Sequence, residues 1–324
     1  SSPLGRGYPV FRVPASALAN APLHPRLRRS SAISRFAAIA GLEALADANV
    51  KLDAETAKRT ALIFAVSNGG VIYTKRFYHD IVESGAQAAS PLLFPETVFN
   101  APASHLAAIL GITGASYTLV GDGAVGTLAL KMAEDLMLNE NLDRCLVVAA
   151  EEADWLLCDA YRKWRLLRSA PPIESFQQPP RGTILSEGAG AMLIARHGPI
   201  RIEKISGGTN FKRQQDAAGA IGKVFAELCD SSSPSFVSAS ANGTFIDGAE
   251  LKAIEKHSPN APVYSVKRAV GESVGASSLW QTIAAAQALI TKKLPGVAEG
   301  RVLESAVIST CGLNQQAAGL RIAA

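Results

Sequence analysis

The sequence predicts an α/β fold made of two pseudo-duplicated βαβαβ halves in a layered α/β/α/β/α arrangement. Three observations predict it. Helical and strand patterns alternate along most of the chain. The strands are short, continuous apolar runs, as expected of parallel strands covered by helices on both faces. The same order of strand, helix, strand, helix and closing strand pair occurs twice, which places the halves at residues 1–198 and 199–324 of one compact unit.

In the first half, residues 32–50 have helical period and 59–67 ("RTALIFAVS") form a buried strand. A helix over 102–112, a strand over 116–120, a glycine turn and a helix running to 136 follow, then a strand over 143–152. Residues 186–196 and 200–208 read as a hairpin broken by "HGP". In the second half, helices are predicted over 214–230, 247–257 and 275–293, the last too apolar to be exposed. Strands are predicted over 235–241 and 261–267, with a final pair over 304–312 and 316–324. The proline-rich stretch 168–182 is a loop.

Bulk properties exclude several classes. Of 324 residues, 48% are hydrophobic and 19% charged, which is a globular composition. The net charge of +4 is dispersed apart from "HPRLRR" at 24–29, so no nucleic-acid footprint is present. No apolar run is long enough for a membrane span. Cys145, Cys158, Cys229 and Cys311 make no CxxC pair and have no nearby histidine in metal spacing. The expectation is a reduced, cytoplasmic protein with no metal and no cofactor.

Four local signals carry possible chemistry, each with a bland alternative. In "TLVGDGAVGTLAL" a glycine turn at Gly123 opens a helix, where free N–H groups attract anions or activate a thiolate. Alternatively, the glycines only allow close packing, with Asp122 capping the helix. "SANGTFIDGAE" places Asn242, Thr244, Asp247 and Glu250 at a strand end, where α/β sheets bind ligands, or forms an Asx turn before a helix. Lys267 and Glu272 flank a glycine turn before the buried helix, as an ion pair or a site. Glu187 interrupts a glycine-rich strand and needs a partner if buried, either backbone amides or a basic residue of the second half.

Singly these are weak; their order is specific. "SYTLVGDGAVGTLALKMA", "RGTILSEGAGAMLIAR", "SANGTFIDGAE", "KRAVGESVGASSLW" and "STCGLNQQA" resemble, in sequence, the five signature segments of the β-ketoacyl synthases, which have a thiolase-like fold. The opening "SSPLG" resembles the turn after that family's first strand. The resemblance implies that Gly123 stands at the acyl-accepting cysteine, Asn242 at the first histidine and Glu272 at the second. It implies that Lys267, Glu187 and Gly126 are retained. Glycine offers no nucleophile, and asparagine exchanges no proton near neutral pH.

The resemblance therefore implies a member without the catalytic Cys-His-His set, similar to chain-length factors of type II polyketide and aryl-polyene systems. Such a subunit forms a heterodimer with an active ketosynthase, shapes its acyl pocket and meets an acyl carrier protein. Phe99, Cys311 and Asn314 are candidate pocket or gate residues on the same grounds. The alternative is an enzyme with an altered site, using Asp122, Asn242 and Glu272 on acyl-thioesters, with Cys311 as a displaced nucleophile. A binding protein that holds a carrier or a free acyl chain is a third possibility.

Overall fold

The structure is a computed structural model describing residues 7–19, 22–229, 233–298 and 300–324. In chain order the first part contains β1 (Val10–Phe11), α1 (Ala15–Leu18), α2 (Ala32–Asp47), α3 (Ala54–Lys58), β2 (Thr60–Val66), α4 (Val71–Ser84), α5 (Ala101–Leu110), β3 (Ser116–Val120), α6 (Val125–Leu136), β4 (Arg144–Glu151), α7 (Trp155–Lys163), β5 (Leu185–Ser186) and β6 (Gly188–Ala195). Then come β7 (Arg201–Ile205), β8 (Thr209–Asn210), α8 (Ala217–Leu228), β9 (Phe236–Ser238), α9 (Phe245–His257), β10 (Val263–Tyr264), α10 (Lys267–Val270), α11 (Ser277–Thr291), β11 (Ser305–Cys311) and β12 (Gln316–Ala323).

Two sheets organise the molecule. The first has the order β3-β2-β4-β6, the second β10-β9-β11-β12-β7, with β8 beside β12. In each sheet the closing strand runs against its neighbour: β6 pairs with β4 from Arg144↔Ala195 to Glu151↔Gly188, and β12 with β11 from Ser305↔Ala323 to Cys311↔Ala317. β7 and β8 also run against β12, whereas the pairs β2–β3, β2–β4, β9–β10 and β9–β11 are parallel.

Side-chain alternation along the strands divides the core into three. Ile63 and Val147 on one face of the first sheet meet Ile308 and Leu320 of the second across α6 and α11. Leu62, Phe64, Leu146 and Val148 on the opposite face pack with Ile33 of α2 and Leu106 of α5. Val237 and Val307 on the outer face of the second sheet pack with Phe225 of α8 and Ile246 of α9. The result is five layers, helix and sheet alternating, with α6 and α11 in the middle. These helices touch closely: a Cβ on Gly126 would lie 2.5 Å from Ser278 Oγ, so only glycine fits there.

The structure corrects two parts of the sequence reading. Residues 186–208 do not form a hairpin, since β6 pairs with β4 and β7 pairs with β12 in the other sheet. The Arg196–Ile200 connection carries the chain from one layer to the other. Helices α4 and α7 were also absent from the sequence reading. No residue of α4 is fully buried.

Candidate functional site

The two central helices begin side by side in the interior, and neither has a side-chain cap: Ala124 precedes α6 and Ala276 precedes α11. Asp122 does not cap α6 as the sequence reading allowed. Its Oδ2 instead accepts the N–H groups of Asn314 (2.9 Å) and Gln315 (3.0 Å), in the turn joining β11 to β12. That turn lies against Gly123. A Cβ at position 123 would stand 3.0 Å from Gly312 Cα and 3.3 Å from the Cys311 carbonyl oxygen. Gly123 is buried, and a side chain there would press on the backbone of Cys311 and Gly312.

The second-half residues converge, as their motifs predicted, but upon each other. Lys267, in α10, and Glu272, just after it, are 1% and 2% exposed. Lys267 Nζ lies 2.7 Å from Glu272 Oε2. Asn242 Nδ2 donates to the same oxygen at 2.7 Å, and the Val274 N–H donates to Oε1 at 3.0 Å. Asn242 Oδ1 accepts from Thr244 N and Oγ1, an Asx turn at the start of α9. Asp247 accepts from the N–H groups of Asn242, Gly243 and Phe176, so it also ties the 168–182 loop to this corner. Burial pushes the Asp247 carboxyl up, opposed by these three donors.

Ser240, which sequence reasoning missed, links this cluster to the β11–β12 turn. Its Oγ accepts from Lys267 Nζ (3.2 Å) and Cys311 N (2.9 Å) and donates to Cys311 O (3.1 Å). Glu250 Oε1 accepts the Ser240 N–H, and desolvation pushes this carboxyl up to about 7. Two other groups went unrecognised. Glu151 closes β4, accepts the N–H groups of Ser67 and Asn68, and is driven up to about 8 by burial. The acid ending the apolar run "VVAAEE" was the available signal. Tyr161 of α7 is buried beside Asp122, Glu272 and Glu151, and its phenol is raised well above its usual range by desolvation first and then by those acids.

Cys311 is 1% exposed, and burial first and then Glu250 push its thiol well above the ordinary value, which disfavours the thiolate a nucleophile needs. Glu187 finds its partner in the first half, not the second: Arg12 pairs with it and the Val13 N–H donates to it. Two surface clefts, of about 880 and 510 Å³, lie beside Arg201 and Lys292 and between Arg12, Phe36 and Trp280. None of Gly123, Asn242 and Glu272 lines either one. Among the described residues, no cluster of acids, histidines and cysteines is arranged to hold a metal ion, and no helix is long and apolar enough to cross a membrane.

The surface next to this closed interior is unlike it. β3 is an edge strand, with Tyr117 43% and Val120 53% exposed. The excursion formed by α4 and residues 86–100 shows Tyr78, Val82, Leu92, Phe94, Val98 and Phe99 to solvent. Phe99 lies over Gly69 on this outer face. Glu96 anchors the excursion from below, bonded to His105 Nε2 at 2.7 Å and to the Ser31 N–H at 2.8 Å. Arg26, Arg28 and Arg29, all exposed, lie just before Ser31. Asn314 is exposed on the β11–β12 turn.

Comparison with known proteins agrees with this geometry. The model of the β-ketoacyl synthase N-terminal domain matches residues 22–198. A 3-oxoacyl-[acyl-carrier-protein] synthase 2 of Vibrio cholerae is 22% identical over 83% of this chain and 72% of its own length. The chloroplastic synthase I of Arabidopsis thaliana is 22% identical over 82% of this chain and 62% of its own length. Among solved structures, the ishigamide ketosynthase/chain length factor superposes with a TM-score of 0.82 at 17% identity, covering 96% of this chain and 87% of that one. A ketosynthase in complex with its chain length factor from Xenorhabdus doucetiae gives 0.77 at 17% identity, covering 98% and 86%.

Proposed function

The chain belongs to the β-ketoacyl synthase family, and from that premise we propose that it is a non-catalytic, chain-length-factor-like subunit. It pairs with an active ketosynthase and forms part of the wall of that partner's acyl pocket, in fatty-acid, polyketide or polyene synthesis. The observation that carries this reading is the pairing of Asn242 and Glu272, which the resemblance sets at the family's two histidine positions, with each other and with Lys267. A carboxylate held by a lysine and an amide has no free donor for an enolate or oxyanion, and position 123 supplies no nucleophile. The altered-enzyme alternative needs Asp122 to join Asn242 and Glu272. Asp122 is instead engaged by Asn314 and Gln315.

The apolar excursion and the β3 edge supply the partner face. An edge strand with exposed Tyr117 and Val120 invites pairing with another strand, and aromatic side chains are enriched in such interfaces. Phe99 then contributes to the pocket wall from the interface. Arg26, Arg28 and Arg29, adjoining that face through the Ser31–Glu96 contact, suit an acidic acyl carrier protein. The two halves, 1–198 and 199–324, act as one unit, and the protein works in the cytoplasm without a cofactor.

The test is co-expression with the ketosynthase encoded beside it, followed by native mass and a condensation assay. A one-to-one complex that condenses acyl and malonyl units, when neither chain does so alone, is the expected result. A stable homodimer that ignores the ketosynthase overturns the reading.

A further inference from the structure

We propose that Asp122 is a latch that holds the Cys311–Gln316 turn shut over the start of α6. The site is then silent by shape as well as by its missing cysteine. This deepens the subunit reading above, but its test needs no partner.

Four contacts support the latch. One carboxylate oxygen of Asp122 receives two successive N–H groups of the turn, from Asn314 at 2.9 Å and Gln315 at 3.0 Å, a strong arrangement for an acceptor of that charge. The Asp122 side chain is 8% exposed. It fills the volume a side chain at 312 would need, since a Cβ there would coincide with the carboxylate. With Gly312 drawn in, its Cα stands 3.0 Å from where a Cβ at 123 would be. At its other end the turn is fixed by Ser240 on both backbone groups of Cys311 and by Gly312 N–H donating to Gln316 O at 2.7 Å. Asp122 is the contact between this turn and the first half that a single substitution can remove while leaving the others in place.

A bland reading competes: Asp122 merely satisfies two turn amides and blocks nothing. Thiol chemistry separates the two. In a Cys229→Ser, Cys311→Ser background, which removes the half-buried native cysteine and the thiol inside the turn, Gly123→Cys is built with and without Asp122→Ala. The native chains are treated with a small alkylating reagent. The latch predicts labelling of the introduced thiol at least tenfold faster when Asp122 is replaced. Amide exchange at Asn314 and Gln315 should rise in step. Cys145, fully buried between the sheets, stays unlabelled in a folded chain and reports global opening. Asp122→Asn, which keeps a neutral acceptor, should fall between the two and serves if Asp122→Ala does not fold. Equal labelling rates with and without Asp122, or unchanged exchange at Asn314 and Gln315, overturn the latch. A latch that fails while the one-to-one ketosynthase complex still forms sinks only this inference. A latch that holds while no complex forms sinks only the subunit reading.

Discussion

The interior around Gly123 and the excursion of residues 71–100 lie in one chain and have opposite characters. In the interior nearly every titratable group is spent on a neighbour: Lys267 on Glu272, Glu272 also on Asn242, Asp247 on three backbone amides, Asp122 on the β11–β12 turn. On the excursion, apolar side chains such as Val82 (79% exposed) and Leu92 (65%) face water with nothing over them. A site kept for chemistry leaves polar groups free for substrate, and a monomer's surface covers its large apolar residues. The difference teaches that the interior polar residues mostly hold one another and the turns around them, with Asp122 reaching across the two halves, while unspent binding energy sits on an outer face.

The comparison breaks most sharply at Lys267. Replacing it with alanine leaves Glu272 buried without its cation, and the expected loss is about 3–5 kcal/mol in chemical denaturation. Replacing the pair together, Lys267→Met with Glu272→Leu, should cost clearly less than Lys267→Ala alone. A larger loss for the double variant would mean that the pair is more than a structural lock. Next in size is Gly312→Ala, whose new methyl meets the Asp122 carboxylate. About 1–3 kcal/mol of destabilisation is expected, partly recovered by adding Asp122→Ala. Thermal melts of the two single variants and the double variant measure this.

The outer face should respond in the opposite way. Val120→Lys or Phe94→Asp should change the stability of the isolated chain by less than about 0.5 kcal/mol, since both side chains are already exposed. The same variants should weaken the complex with the ketosynthase by roughly tenfold or more, about 1.4 kcal/mol or above, in a titration of the two chains. Equal binding by wild type and variants would remove this face from the interface.

The smallest effect is a pH dependence. Glu151 and Glu250 have native carboxyls raised to about 8 and about 7 from the ordinary 4.5, so the native chain holds protons that the unfolded chain has released. Their stabilising contribution is full below about pH 4.5 and is lost as pH climbs through 7 and 8. Stability should therefore decline across that window, and Glu151→Gln with Glu250→Gln should flatten the decline. A slope that does not change on substitution would place the protons elsewhere.

Much of the architecture was legible in the sequence because the burial pattern is regular. Runs such as "TALIFAV" and "RCLVVAAE" have no polar residue inside them, so they read as central parallel strands. The false hairpin at 186–208 arose because two adjacent strand patterns look the same whether they pair with each other or with distant strands. The motif residues Gly123, Asn242, Lys267 and Glu272 could be located from the segments that resemble the family's. Their partners could not, since nothing local says what Ser240, Tyr161 or Glu151 meets in the fold. The supposed cap at Asp122 failed for a related reason: the N–H groups that donate to it lie 192 and 193 residues away in sequence, at positions 314 and 315.

By itself, then, the sequence determined the identity of the side chains at the positions the family resemblance marks and the periodicities that make the layers. Those depend on residues near one another in the chain. Tertiary structure decided how these side chains are spent, because hydrogen bonds such as Asp122 with Asn314 and Ser240 with Cys311 join residues far apart in the chain, the first of them across the two halves. It also decided which apolar residues stay uncovered, since the burial of Val82 or Val120 depends on what lies beside it in space.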